Sequence, residues 1–518
     1  MENNTKYEFE NRRYVLGGAV ILLVIIFIIR LFILQVVDND YKAWADSNAF
    51  LKKTLYPSRG MMYDRNGKLL VYNQPAYDVM LIMREIQPFD TLDFCDVLGI
   101  TKEQFLKRIA DIKNRRLNPG YSSYVPQVFM NQLSAQEYGV LQEKLYKFPG
   151  FYIQNRTIRQ YEYPNAALVL GNIGEVNRKD IENDAYYTQG DYSGRTGIEQ
   201  SYEEYLRGVK GVEGRHDIQP ESGKNLKLSL DMDLQAYGEK LMQNKLGGIV
   251  MIEPETGEVL CMVSAPTYDP SILIGRQRGK NYVALQKDPL KPLFNRPLMA
   301  QYPPGSTFKP TQGLIFLQEG VITPETQYTC AHGYTFRGGK PACHGHPSPL
   351  NLVGALATSC NSFFPWGLRE ILATPLQICN LAATVANRGY YITPHVVKEI
   401  QDTPLDTLYS KRHYTSVDTH YYSYIAEGMR GAVTGTAYGG TCRGAALPDI
   451  EVCGKTGTSE NPHGKDHSIF MGFAPYQKPK VAIAVFVENA GFGATYAVPI
   501  GKLMLEKYLK GEISEANK

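Results

Sequence analysis

Apolar residues run unbroken from Tyr14 to Ile29, and Leu31 to Leu34 extend the run past Arg30. A run of this length predicts one bilayer-spanning helix, with Arg30 able to snorkel toward the headgroups. Beyond it the pattern turns polar and tyrosine-rich as far as about Gly223. Within that stretch Asn66-Gly67 predicts a tight hairpin turn between short strands. Ser134 to Leu145 predicts a capped helix, and Gly197 to Arg207 predicts another that stops at Gly208.

Past Leu226 the pattern changes. Leu228 to Asp233 leads into a helical stretch ending near Asn244. Gly248 to Ile252 and Val259 to Val263 flank Pro254-Glu255-Thr256-Gly257-Glu258, which predicts a hairpin. Thr307 to Glu319 predicts a helix closed by Gly320. Three strands follow, over Ile450 to Gly454, His467 to Phe473 and Val481 to Glu488, and a helix over Tyr496 to Leu509 closes the chain. Strands at both ends with helices between them imply an antiparallel sheet flanked by helices, so the class is α+β. The expected organisation is a tail over 1–13, a transmembrane anchor over 14–36, a mixed pedestal domain over 37–225 and a second domain over 226–518.

Composition and charge narrow this picture. The 518 residues are 43% hydrophobic and 21% charged, which suits one membrane segment and two or more globular parts. A net charge of +3 points to no nucleic acid. We find no repeat, low-complexity tract or phosphate-cradling glycine loop. Lys6, Arg12 and Arg13 precede the apolar run, and Asp38 and Asp40 follow it. The positive-inside rule then places the N-terminus in the cytoplasm and everything after Asp38 outside. The alternative is a cleaved signal peptide, since Ala43-Trp44-Ala45 matches A-x-A. The run exceeds a normal signal core and the match lies too far beyond it.

Three short words occur in order in the second half: Ser306-Thr307-Phe308-Lys309, Ser359-Cys360-Asn361 and Lys455-Thr456-Gly457. An S-x-x-K match arises by chance roughly once or twice in a chain this long. The ordered triple S-x-x-K, S-x-N, K-T-G is far more specific, and it marks serine enzymes that take acyl groups from D-alanyl peptides or β-lactams. A serine hydroxyl needs an adjacent base. Ser306 and Lys309, three apart at a helix start, project side by side. A desolvated lysine gives up its proton readily. Ser306 is therefore the candidate nucleophile and Lys309 its base. Ser359 is placed to relay a proton, Asn361 to orient Lys309 and the substrate backbone, and Lys455 to bind a terminal carboxylate with Thr458. Thr456, Gly457 and Thr458 are the candidate substrate-binding strand, with Gly457 leaving room for a substrate backbone. The backbone N–H groups of Ser306 and Thr458 are the candidate oxyanion hole. This chemistry requires no cofactor.

Of the 8 cysteines, Cys95, Cys261, Cys379, Cys442 and Cys453 are scattered, most of them among apolar neighbours, as buried thiols are. Cys330, Cys343, Cys360, His344 and His346 are closer together. Three thiolates and one imidazole complete a tetrahedral structural zinc site, with His346 preferred over His344. A Cys330–Cys343 disulfide and free thiols are the competing readings.

These words, with Arg59-Gly60, Asp64-Arg65-Asn66-Gly67, Gly197-Ile198-Glu199 and Leu228 to Asp233, resemble the class B penicillin-binding proteins over nearly the whole chain. The match is nearest to their elongation-specific branch. The resemblance implies a periplasmic peptidoglycan D,D-transpeptidase that cross-links stem peptides and is acylated by β-lactams at Ser306. It also implies as partners a SEDS-family glycan polymerase and other elongation-complex proteins, met through the anchor and pedestal. One departure stands out. Trp366-Gly367-Leu368-Arg369 runs directly into Glu370-Ile371-Leu372-Ala373-Thr374-Pro375, whereas in the family several tens of residues separate these stretches and build part of a helical subdomain beside the cleft. Their loss should expose core surface. Two other functions fit parts of the pattern: a β-lactamase or penicillin-sensing protein, and a non-catalytic scaffold of the wall-building machinery.

Overall fold

The apolar run at the N-terminus forms a continuous helix, Asn4–Phe32. Its membrane-compatible portion, Arg12–Phe32, has 21 residues and at 1.5 Å per residue spans about 32 Å, the thickness of a bilayer core. In this computed structural model, residues 4–32, 53–116, 118, 121–188, 190–213, 217–333, 342–364, 371–435, 438–461 and 464–514 are described. Ile33, Leu34, Asp38, Asp40 and Ala43 to Ala45 therefore lie outside the described residues. The chain separates into two units. The first comprises Met1–Pro57 and Val209–Glu221. In it the strand Lys53–Leu55 pairs antiparallel with Gly211–Glu213.

The second unit comprises Ser58–Gly208 and Ser222–Lys518. Its first sheet has six strands. Asn66-Gly67 makes the expected turn, but the strand after it is long, Leu69–Leu81, and most of its length pairs with Phe151–Tyr161. Gln127–Leu133 pairs on the other edge of that strand. Against this sheet lie Thr91–Leu98, Lys102–Lys113 and Ala135–Lys144. Six phenylalanines, at positions 89, 94, 105, 129, 148 and 151, fill the space between, with ring centroids 4.4 to 6.3 Å apart. The Ala135–Lys144 helix starts at Ser134 with a reciprocal capping box to Glu137. The helix expected over Gly197 to Arg207 is two short pieces, Gly197–Ser201 and Glu203–Leu206, joined at Tyr202. The strands Leu226–Leu228 and Val397–Ile400 extend this same sheet beyond Met62–Tyr63, so it takes strands from both sides of residue 225.

The second sheet has five antiparallel strands in the order Val259–Ala265, Gly247–Ile252, Val481–Val487, His467–Ala474, Cys453–Ser459. Its central strands are buried on both faces. Even-numbered side chains such as Val250 and Ala484 pack with the Pro375–Ala386 helix, and odd-numbered ones such as Ile249, Ile483 and Val485 pack with Ala497–Lys510. The expected α+β architecture is present. Its last expected strand boundary moves, however. Ile450 to Val452 lie outside the strand, and the strand Cys453–Ser459 contains Lys455-Thr456-Gly457 itself, with no strand beyond it among the described residues.

Candidate active site

The residues around Ser306 form a tight turn before a helix. Gly305–Phe308 is a 3-10 turn and the α-helix proper is Lys309–Gln318, so the helix begins later than the sequence pattern predicts. Pro310 sits in its first turn, where a missing N–H costs nothing. The turn lies directly against the Lys455-Thr456-Gly457 strand, and two glycines permit this. Gly305 has φ +53°, and a Cβ there would come within 2.6 Å of the Thr458 carbonyl oxygen. A Cβ on Gly457 would meet the Thr307 methyl at 2.8 Å and the Pro304 carbonyl at 3.2 Å. Sequence reasoning gave the space at Gly457 to a substrate backbone; the structure gives it to Pro304 and Thr307.

The second word follows the helix Leu352–Ala357. Ser359 has φ +56°, a left-handed conformation uncommon for a residue other than glycine. Lys309 Nζ donates to the Ser359 carbonyl at 2.7 Å and to Asn361 Oδ1 at 2.6 Å, and lies 3.2 Å from Ser359 Oγ. From the opposite wall Lys455 Nζ donates to the same Ser359 Oγ at 2.8 Å. One hydroxyl thus joins two lysines and all three words. Both lysines are buried. Burial, then the charge of Lys455, pushes the Lys309 amine well below its ordinary range. Burial lowers Lys455 to about 8, opposed by Cys442. Thr441 was not foreseen: its hydroxyl accepts from Thr456 Oγ1 at 3.0 Å, and no spacing signal in the sequence points to it.

A second cluster backs the Ser359-Cys360-Asn361 wall. The ligand atoms of Cys330, Cys343, His346 and Cys360 all lie within 4.8 Å of one another. Cys343 and Cys360 Sγ are 3.9 Å apart, close to the edge of a tetrahedron of sulfurs about 2.3 Å from a central zinc. His346 Nδ1 is engaged by the Pro347 carbonyl at 2.8 Å, while Nε2 is buried without a hydrogen-bond partner. That is the condition of a nitrogen awaiting a ligand. His344 lies apart, against Phe492. Cys330 and Cys343 are free thiols rather than a disulfide. Burial opposes ionisation of Cys330, but hydrogen bonds from Ser362 and the neighbouring thiols bring it down to about 7. The cluster reaches the catalytic wall through the Asn361 N–H, which donates to Cys343 Sγ at 3.0 Å, and through Asn361 Nδ2, which donates to the Ala342 carbonyl at 2.8 Å. The other five cysteines are buried, as expected.

With this geometry in place, comparison with known proteins is decisive. Residues 54–228 match the penicillin-binding protein dimerisation domain, and residues 247–371 and 364–506 match the penicillin binding protein transpeptidase domain. The chain belongs to the penicillin-binding protein transpeptidase family. Among its relatives is the peptidoglycan D,D-transpeptidase MrdA of Acinetobacter baumannii, 27% identical over 98% of this chain and 89% of that protein. The penicillin-binding protein PBP2 of Helicobacter pylori, solved in complex with MreC, has the same fold, with TM-score 0.71 at 23% identity over 90% of this chain and all of the other. A chain from a peptidoglycan synthase complex that coordinates polymerization and crosslinking superposes with TM-score 0.69 at 24% identity over 97% of this chain and 99% of its own.

The family comparison also bears on the shortened stretch. The two transpeptidase matches meet at 364–371, around the Arg369–Glu370 junction. The alignment with the A. baumannii protein runs over 617 positions against 518 residues here, so that relative carries residues with no counterpart in this chain. Trp366 to Glu370 lie outside the described residues. Just beyond them Ile371 and Leu372 are exposed, as are Leu298 and Met299 on the segment that leads to the Tyr302–Ala373 bridge.

Proposed function

We propose that this chain is the elongation-type peptidoglycan D,D-transpeptidase of its cell, with Ser306 as nucleophile and Lys309 as its base. The observation that carries the reading is the shared Ser359 hydroxyl, which links Lys309 to Lys455 across the cleft. Ser306 Oγ attacks the carbonyl of the penultimate D-Ala of a stem peptide and its proton passes to Lys309. The Ser306 and Thr458 N–H groups hold the developing oxyanion. Collapse breaks the peptide bond, and the leaving D-Ala amine takes a proton delivered through Ser359. An amine of a second stem peptide then attacks the Ser306 ester. The proton it loses returns through Lys309 to Ser306, and the cross-link is complete. Asn361 holds Lys309 in place, while Lys455 and Thr458 bind the terminal carboxylate. Thr456 and Gly457 hold the strand against which the peptide lies. A β-lactam enters by the same first step and remains as a stable acyl adduct.

Catalysis needs no cofactor. Zinc held by Cys330, Cys343, His346 and Cys360 would be structural, bracing Asn361 from behind through Cys343 and Cys360. The Asn4–Phe32 helix is the single-pass anchor, with the N-terminus cytoplasmic and the 37–225 pedestal and the catalytic domain, 226–518, in the periplasm. Its partners would be a SEDS-family glycan polymerase and elongation-complex proteins, met through the anchor and pedestal; a relative solved with MreC and another from a peptidoglycan synthase complex support this. Intact mass of the full chain after β-lactam exposure, beside Ser306→Ala, tests the reading. An adduct on the parent and none on the variant is expected. No adduct on folded parent protein would refute it, and the scaffold reading, favoured by the shortened subdomain, would take its place.

A further inference from the structure

A small cavity of about 20 Å³ lies where the pedestal strand Phe151–Tyr161 meets the segment from Leu273 to Arg278. Its lining includes the apolar Ile158, Ile173, Leu273 and Ile274 and the two arginines Arg159 and Arg278. Arg159 is only 1% exposed. Its Nε donates to Glu199 at 2.7 Å and its Nη1 to Asn73 at 3.1 Å, but its Nη2 is buried with no partner among the described residues. Leaving a donor of a charged group unsatisfied is costly unless something accepts from it. Arg278 donates to the Ile173 carbonyl at 2.9 Å and the Asn172 side-chain carbonyl at 3.1 Å, and has no carboxylate partner among the described residues.

The surrounding carboxylates, including the buried Asp191 that accepts from Thr188, are engaged elsewhere. Glu199 is shared by Arg59 and Arg159, and Glu203 is taken by Arg59. Asp180 pairs with Arg195 and Asp78 with Arg156. Glu175 is exposed. The charge of Arg278 is left over, beside an unsatisfied donor of Arg159. Tyr192, which also lines the cavity, accepts from Gln132 Nε2 at 3.0 Å, so its own proton remains to be donated. Donors without carboxylate partners and an apolar wall select an anion over a cation. A volume near that of a single water-sized species selects a monatomic one over phosphate or a carboxylate.

We propose that this cavity is a halide site, filled by chloride, that ties the pedestal strand to the Leu273–Arg278 segment of the catalytic half. An ion bound only by the folded state stabilises it by mass action. The test uses the full chain in detergent, with thermal unfolding followed as sodium gluconate is replaced by sodium chloride or bromide at constant ionic strength. The midpoint should rise saturably by about 2 °C or more for chloride and bromide. Arg278→Met should abolish the rise and still acylate with a β-lactam. Anomalous diffraction from crystals grown in bromide should place an ion beside Arg159 and Arg278, and this needs no variant. Equal midpoints in gluconate and chloride, a rise that survives in Arg278→Met, or only water in the cavity in bromide would each overturn the proposal.

Discussion

Replacing Ser359 by alanine removes the one hydroxyl that Lys309 and Lys455 share. Lys455 Nζ then keeps only the Thr456 carbonyl, at 3.0 Å, among its described partners. A hydrogen bond to a charged group contributes about 1.5–3 kcal/mol, and an unmet buried donor costs on that scale. The larger loss falls on the reaction, because no group then carries the proton from Lys309 to the leaving amine. Removing a positioned proton carrier slows catalysis by about 10²–10⁴-fold, or roughly 3–5 kcal/mol of barrier. Backbone strain at φ +56° is unchanged by alanine but relieved by glycine. Ser359→Gly should therefore unfold no earlier than Ser359→Ala and acylate just as slowly. The assay is the second-order rate of adduct formation with a fluorescent penicillin, beside the melting temperature of each variant. If either variant acylates within about threefold of the parent while folded, Ser359 is not the proton carrier and the relay is wrong.

Three further outcomes follow from the same geometry. Lys455 is lowered to about 8 by burial, so it is charged below that pH and neutral above it. Acylation should fall as pH rises through about 8, and Lys455→Arg, which stays charged, should lose that falling limb even if slower overall. Metal analysis of the full chain should find about one zinc per protein; Cys343→Ala should lower the zinc content and slow acylation through Asn361, and a metal-free parent would refute the structural zinc. In the pedestal, Glu199 is fully buried between Arg59 and Arg159. Glu199→Gln leaves Arg159 without a counter-charge, while Arg59 keeps Glu203, at a cost of about 3–5 kcal/mol, so a melting temperature within about 1 °C of the parent would contradict that account.

Much of the site was legible in the sequence because its chemistry sits in short contiguous words. Ser306 and Lys309 are separated by one turn, and Lys455 to Thr458 share one strand, so local spacing already constrains which side chains can meet. The helix that begins after Ser134 and the hairpin at Asn66-Gly67 were likewise readable, since caps and tight turns are decided by neighbours. The pedestal was less so. Leu69–Leu81 and Phe151–Tyr161 do not alternate cleanly between polar and apolar, because one strand is covered by its partner and a phenylalanine cluster from distant segments. The extent of the last strand was misplaced for a related reason. The alternation of Ile450 to Gly454 stops before Lys455, and only pairing with the neighbouring strand His467–Ala474 carries the strand through Lys455, Thr456 and Gly457.

The sequence by itself determined the family, the membrane-compatible helix, the three ordered words and the set of residues able to hold zinc, since each depends on residue type and short-range order. Only the tertiary structure decided that one serine hydroxyl serves two lysines, that Gly457 makes room for Pro304 and Thr307, that His346 rather than His344 joins the thiols, and that Arg159 and Arg278 face a common cavity. Most of these are contacts between segments roughly 50 to 150 residues apart, on the order of the domain itself. Their distances are set by how sheets and helices pack, and nothing in local sequence encodes them.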